Sequence, residues 1–159
     1  MKKTIGFFII LFCFPLISFS QKGEKSVAFN GGWCAKVTSW NNNSYAGTGF
    51  ALRFLYHTSD HFRIAPGVNY YFIPNHDNRE EINLDFHYLF NISHNIKIYP
   101  VLGAKYIFSM SVPGINYGIG IQSKLTTKVN LNLEARNDFQ IYDEGYQQFY
   151  ISAGVTYSF

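Results

Sequence analysis

The stretch FYISAGVTYSF, residues 149–159, closes the chain. Every second residue is apolar: Phe149, Ile151, Ala153, Val155, Tyr157 and Phe159. Between them stand Ser152, Gly154, Thr156 and Ser158, with Tyr150 the single large exception. A period of two is that of a β-strand with one apolar face. Soluble domains usually fray into polar terminal residues, whereas this strand stops on an aromatic ring. What covers its apolar face decides the fold.

The opposite end points to a compartment. MKKTIGFFIILFCFPLISFS, residues 1–20, places Lys2 and Lys3 before an apolar run, Ile5 to Ile17, and ends on Ser18-Phe19-Ser20 before Gln21. A basic start, a short apolar core and a small-x-small site are the pattern of a cleaved secretory signal peptide. The apolar core is too short for a membrane anchor. A lipoprotein signal needs a small residue before Cys13, and Phe12 stands there. The expected mature protein is one domain, residues 21–159.

Of the net charge of +3, Lys2 and Lys3 supply two, and no basic stripe follows. Nucleic acid is therefore not an expected partner. Beyond the signal only Cys34 remains, so no internal disulfide is available. Cys34 reads as an inert small side chain. No cofactor or metal motif stands out. Aromatic residues reach 19%, with twelve Tyr and sixteen Phe, and they require an account.

No stretch after the signal carries a helical stripe. Eight period-two segments recur instead: 26–37, 46–57, 62–73, 81–91, 96–108, 115–125, 129–139 and 149–159. Each is near the ~9–11 residues of a tilted strand crossing a bilayer. One face of these segments is apolar, for example Phe50, Leu52 and Phe54, or Leu84, Phe86 and Tyr88. The other face collects the charges: Arg53, Arg63, Glu81, Asp85, His87, Lys97, Lys105, Lys124, Glu134, Arg136 and Asp138. Gly32, Gly47, Gly49, Gly67, Gly103, Gly118, Gly120 and Gly154 interleave with them.

Alternation alone does not separate a soluble sandwich, or a lipocalin-like binder with aromatics inside, from a membrane barrel with aromatics outside. Three features favour the barrel. Aromatics gather near the expected strand ends (Tyr56, Phe62, Phe72, Phe90, Phe108, Tyr117 and Tyr157), as girdles at membrane interfaces do. Glycine mixed with long chains of both charge signs suits a narrow interior. Linkers alternate, short at 58–61, 92–95 and 126–128 and longer at 39–45, 74–80, 109–114 and 140–148. The expectation is an all-β, eight-stranded, antiparallel up-and-down transmembrane barrel.

On these segments the sequence resembles the small eight-stranded outer-membrane barrels of Gram-negative bacteria, the OmpA/OmpX-like group. The closing strand ISAGVTYSF is the most specific part, and IKIYPVLGAKY and VNLNLEARNDF are similar to the fifth and seventh strands. The resemblance implies an outer-membrane location and contact with lipid and lipopolysaccharide. It also implies delivery by the barrel-assembly machinery, with Tyr157 and Phe159 as the assembly signal. A monomer is expected.

Two departures stand out. Pro66 and Pro100 fall inside predicted strands, where each removes a ladder donor, so a bulge or an opening is expected there. Asn137 falls on the lipid face, which suggests a position at the rim.

The lumen charges are expected to interlock as a plug, with a narrow gated pore as the alternative. Catalysis is not expected. The competing enzyme reading, lipid-A modification, has two candidate constellations. His57-Thr58-Ser59 lies at the periplasmic turn, the wrong side for lipid A. His76 and Asp77 with Ser44 or Ser111 would sit in the outer loops, in a nucleophile–base–orienter arrangement of generic spacing. His57 and His61 straddle a turn, which does not present them as a metal pair. Trp40, Tyr142 and Tyr146 extend the outer girdle or contact sugars.

Overall fold

A strand with one apolar face and one charged face can satisfy its backbone in lipid only if every edge is paired, and this chain achieves that by closing on itself. The computed structural model describes residues 23–36, 46–75, 77–141 and 147–159. The expected signal peptide, Trp40, Ser44, His76, Tyr142 and Tyr146 lie outside the described residues.

The strands are β1 (Lys25–Lys36), β2 (Ala46–His57), β3 (Phe62–Phe72), β4 (Arg79–Tyr88), β5 (Phe90–Asn91), β6 (Ile96–Ile107), β7 (Val112–Lys124), β8 (Val129–Gln140) and β9 (Gln147–Ser158). β4 and β5 keep one register against β6, through His87↔Val101 and Phe90↔Ile98, so they form a single stave interrupted at Leu89. Each stave pairs antiparallel with the next in sequence, and β1 pairs with β9. The result is a closed barrel of eight staves with no free edge.

The two prolines expected to disturb strands, Pro66 and Pro100, lie on the outer face, and the backbone opens beside each. The β2–β3 ladder runs Arg53↔Gly67 and resumes at Tyr56↔Ile64, skipping the pairs at Ala65 and Pro66. The β4–β6 ladder stops at His87↔Val101, just before Pro100. Register is the same on both sides of each gap, so the departures are openings and not bulges. The missing proline N–H is the cause.

The stagger follows from the register. From Ser26 the circuit runs through Leu55, Ala65, Asp85, Gly103, Asn116, Asp138 and Gln148, and returns to β1 at Lys36, ten residues further on. Only the step from Leu55 to Ala65 crosses an opening, and the flanking pairs fix it. With about 3.3 Å per residue and about 4.8 Å between strands, this stagger tilts the staves by about 40°.

Alternation decides what faces in. β4 is buried at every odd position and exposed at every even one. Asp85 is fully buried at 0% exposure, whereas Leu102 on the outer face is 62% exposed. Phe29, Phe50, Phe86, Ile119, Leu133 and Val155 are likewise exposed on that face. A water-soluble fold would bury these side chains and expose the carboxylates, so the inversion selects a lipid-facing belt around a polar interior.

Phe62, Phe90 and Tyr157 lie at the end carrying the tight turns, and Phe72 and Phe108 at the other end, as a girdle requires. Tyr117 does not fit that girdle. β7 begins at Val112, three residues earlier than the sequence spacing suggests, and Tyr117 falls inside the belt opposite Leu102. The same extension shortens the expected 109–114 loop, since Ile107 already pairs with Val112. Ser111 in that turn holds a positive φ of 54°. Asn137, half-buried three residues before the end of β8, sits toward the loop end as expected.

Candidate functional site

The lumen is the chemically dense part of the molecule. Nine of the eleven charged or histidine positions read from the sequence as lumen residues are buried there: Arg53, Arg63, Glu81, Asp85, His87, Lys105, Glu134, Arg136 and Asp138. Lys97 and Lys124 point the same way by parity but lie at the turn end, half-buried and exposed respectively. They take no part in the bonds described below.

Midway along the barrel, Arg53 Nη1 donates to Glu134 Oε2 at 2.6 Å, and Tyr99 Oη donates to Glu134 Oε1 at 2.9 Å. Asp85 is the second hub. It accepts from Asn83 Nδ2 at 2.6 Å, Asn116 Nδ2 at 2.6 Å and Arg136 Nη2 at 3.0 Å. Arg53 Nε and Arg136 Nη1 approach Asp85 and Glu134 at 3.7 and 3.8 Å, which joins the hubs. Two acids and two guanidiniums from β2, β4 and β8 thus share one cluster, and the chains that satisfy the remaining lone pairs come from β4, β6 and β7.

Toward the loop end Lys105 Nζ bridges Asp138 Oδ2 at 3.0 Å and Glu81 Oε1 at 3.3 Å. Arg79 lies 3.8 Å from Glu81 and donates to Gln148 Oε1. Tyr71 and Tyr150 meet edge to face at 5.4 Å and cluster with Cys34 and Ile73. Tyr150 Oη donates to the Gly49 carbonyl at 3.3 Å. The exception in the closing strand's alternation is therefore a lumen tyrosine with its hydroxyl satisfied.

Toward the turn end Arg63 donates through Nε and Nη2 to His87 Nδ1, at 3.0 and 2.8 Å, and through Nη1 to Gln122 Oε1 at 2.8 Å. Its guanidinium lies over the Tyr99 ring, 4.7 Å from the centroid, and His87 stacks on the same ring at 5.0 Å.

The lumen glycines make room for these chains. A Cβ on Gly120 would overlap the Tyr99 ring, one on Gly67 would meet Arg53 Cγ at 2.6 Å, and one on Gly103 would overlap Asp85 and meet Asn116 at 2.6 Å. Long chains on one stave and glycine on the facing one fit together in a narrow bore.

Sequence reasoning missed Arg79, Asn116, Gln140 and Gln148, all buried. The linker reading of 74–80 covers Arg79, that of 140–148 covers Gln140 and Gln148, and Asn116 lies within the 115–125 segment as an uncharged residue. Extending the period-two pattern outward by two residues places Arg79, Gln140 and Gln148 inside, and Asn116 already has lumen parity within the 115–125 segment.

No protein-family profile matches the sequence, and no curated protein matches it. The barrel does match solved structures. Neisserial surface protein A superposes with a TM-score of 0.72 at 15% identity, covering 87% of this chain and all of that one. The chain has the fold of the small outer-membrane β-barrels. A de novo designed transmembrane β-barrel matches with a TM-score of 0.64 at 14% identity, covering 89% of this chain and all of that one. Ail, the attachment invasion locus protein of Yersinia pestis, matches with a TM-score of 0.61 at 16% identity, covering 87% of this chain and all of that one. The match to a designed barrel shows how far the architecture follows from patterning alone, so the likeness fixes the fold and not a role.

Proposed function

We propose that this protein is a monomeric outer-membrane barrel with a structural or interaction role, plugged by its own lumen side chains and without catalytic activity. One observation carries the reading: each of the four buried acids of the lumen is paired with a buried cation, with Asp85 and Glu134 each held by several donors. Groups locked in this way fill the bore, and the central carboxylates Asp85 and Glu134 are turned toward donors of the barrel itself and not toward a substrate.

The location rests on the apolar belt, the signal-like residues 1–20 and the fold shared with Neisserial surface protein A and Ail. Its partners on this reading are outer-membrane lipid and lipopolysaccharide along the belt, and the barrel-assembly machinery at Tyr157 and Phe159. Ail has been solved in complex with the heparin analogue sucrose octasulfate, which supports an interaction role for barrels of this shape.

Heat-dependent gel mobility of the protein from a membrane fraction tests the membrane reading, and a soluble, heat-insensitive species would overturn it. Mass spectrometry of lipid A with and without the protein tests the absence of catalysis. Unchanged lipid A is expected, and a deacylated or otherwise modified product would overturn it.

A further inference from the structure

Three outward-facing residues stand side by side near the loop end of the belt. Register sets Trp33 of β1 against Thr48 of β2, and Thr48 against Phe72 of β3. Trp33 and Phe72 are exposed, and so are Thr48 and Ala46, the small residues of β2 on the same face. Neighbouring staves lie about 4.8 Å apart, so the two rings are carried about 10 Å apart with only a small floor between them. The aromatic girdle has a gap one stave wide.

The gap is a cleft of about 440 Å³, with Trp33, Ala46, Thr48, Phe72, Pro74 and Asn78 in its lining. That size falls in the ~300–1,000 Å³ range of small-molecule sites. Toward the middle of the belt the surface is filled, because Phe50, Tyr70 and Phe72 pack ring on ring at 4.7 to 6.1 Å. The cleft opens beyond that packing, beside the end of β3, where chains give way to headgroups. Its chemistry is two-sided. The rings, Ala46 and Pro74 are apolar, whereas Thr48 offers a hydroxyl and the exposed Asn78 an amide, and both donate to a carbonyl oxygen. Among the described residues no charged side chain lines the cleft, so this lining suits a neutral group better than a phosphate.

We infer that this cleft seats the root of one acyl chain of an outer-leaflet lipopolysaccharide, with the chain between Trp33 and Phe72 and its carbonyl linkage at Thr48 and Asn78. The inference rests on the outer-membrane reading of the protein. Position names the occupant: the cleft is continuous with the lipid-facing belt and lies at the end opposite the short turns, which in barrels of this kind is the outer leaflet. A chain held between two rings at one fixed place makes that lipid a ligand, where elsewhere on the belt lipid is solvent.

The test uses Trp33 as the reporter. The chain carries two tryptophans, Trp33 and Trp40, so Trp40→Phe leaves one. This protein is refolded into vesicles of phosphatidylcholine brominated near the carbonyl end of its chains, which quenches a lipid-facing tryptophan. The control reporter is Phe108→Trp with both native tryptophans changed to Phe, exposed at the same end of the belt and away from the cleft. Gel mobility confirms that each variant folds. Replacing a small share of the brominated lipid by lipopolysaccharide should restore Trp33 fluorescence several-fold more than that share, and fluorescence at position 108 only in proportion. Thr48→Leu, which fills the floor and removes the hydroxyl, should bring Trp33 to proportional recovery, whereas Thr48→Ser should keep the preference. Proportional recovery at Trp33, equal recovery with unbrominated phosphatidylcholine, or an undiminished preference in Thr48→Leu would overturn the site and leave the membrane reading standing. Absence of quenching at both reporters would remove the membrane reading, and the site with it.

Discussion

Arg53 and Glu134 meet at 2.6 Å in the middle of the lumen, joining β2 to β8, two staves that share no backbone hydrogen bond. Both side chains are almost wholly buried, at 2% and 3% exposure. Removing one partner strands the other in a dry interior, a cost of about 3–5 kcal/mol. Glu134→Ala should therefore lower the unfolding free energy of the refolded barrel by that order, read from urea titration in detergent. Replacing the pair together, Arg53→Met with Glu134→Leu, should recover most of the loss. A single variant as stable as wild type would show that the pair carries no weight.

The outer face should tolerate charge worst where the belt is widest. Leu133 is 52% exposed on that face, beside Glu134 on the inner one. Leu133→Arg places a cation in hydrocarbon and should cost about 2–4 kcal/mol near the midplane. Leu52→Arg should behave alike. Folding into lipid vesicles, titrated with urea, reads the difference. If Leu133→Arg folds as well as wild type, the assignment of faces is inverted.

Two glycines separate room from crowding. A Cβ on Gly154 would overlap the Phe29 carbonyl oxygen and the Asn30 side chain, whereas one on Gly31 meets nothing within 4 Å. Gly154→Ala should destabilise by about 1–3 kcal/mol, the usual cost of overpacking. Gly31→Ala, on the exposed face, should be neutral or stabilising. Equal effects in a denaturant titration would contradict the packing described here.

The end of the chain should matter to delivery more than to secretion. Phe159 is 60% exposed, its amide donates to the Lys25 carbonyl at 3.1 Å, and its ring lies 6.3 Å from that of Tyr157. Deleting Phe159, or Phe159→Asp, should leave the protein exported and reduce the heat-modifiable form in membrane fractions several-fold. Wild-type amounts of that form in both variants would remove Phe159 from the assembly signal.

Much of this structure is legible in the sequence because a barrel is specified residue by residue. The period of two assigns each side chain to lipid or lumen, and a single break would invert a whole stave. The limits of β2 match the expectation at both ends, and those of β3 and β8 differ by one residue. The strand ends near Arg79 and Val112 were less visible. There the alternation continues past glycine, proline and asparagine, residues that ordinarily mark turns. The prolines were legible as disturbances, but only the ladders show that Pro66 and Pro100 open a seam without shifting the register.

The lumen was legible as a set and not as a network. Parity brought Glu81, Asp85, Glu134 and Asp138 to one side, but their partners depend on the ten-residue stagger, which the sequence does not display. Stagger sets Arg53 against Glu134 and leaves Arg63 to His87 and Gln122.

Planar-bilayer recording of purified wild-type barrel tests the central claim, that the side chains close the lumen. The interlock around Asp85 and Glu134 predicts no steady current, with at most rare flickers as the cluster rearranges. Long-lived single-channel openings of uniform, large conductance would contradict it and make the protein a pore.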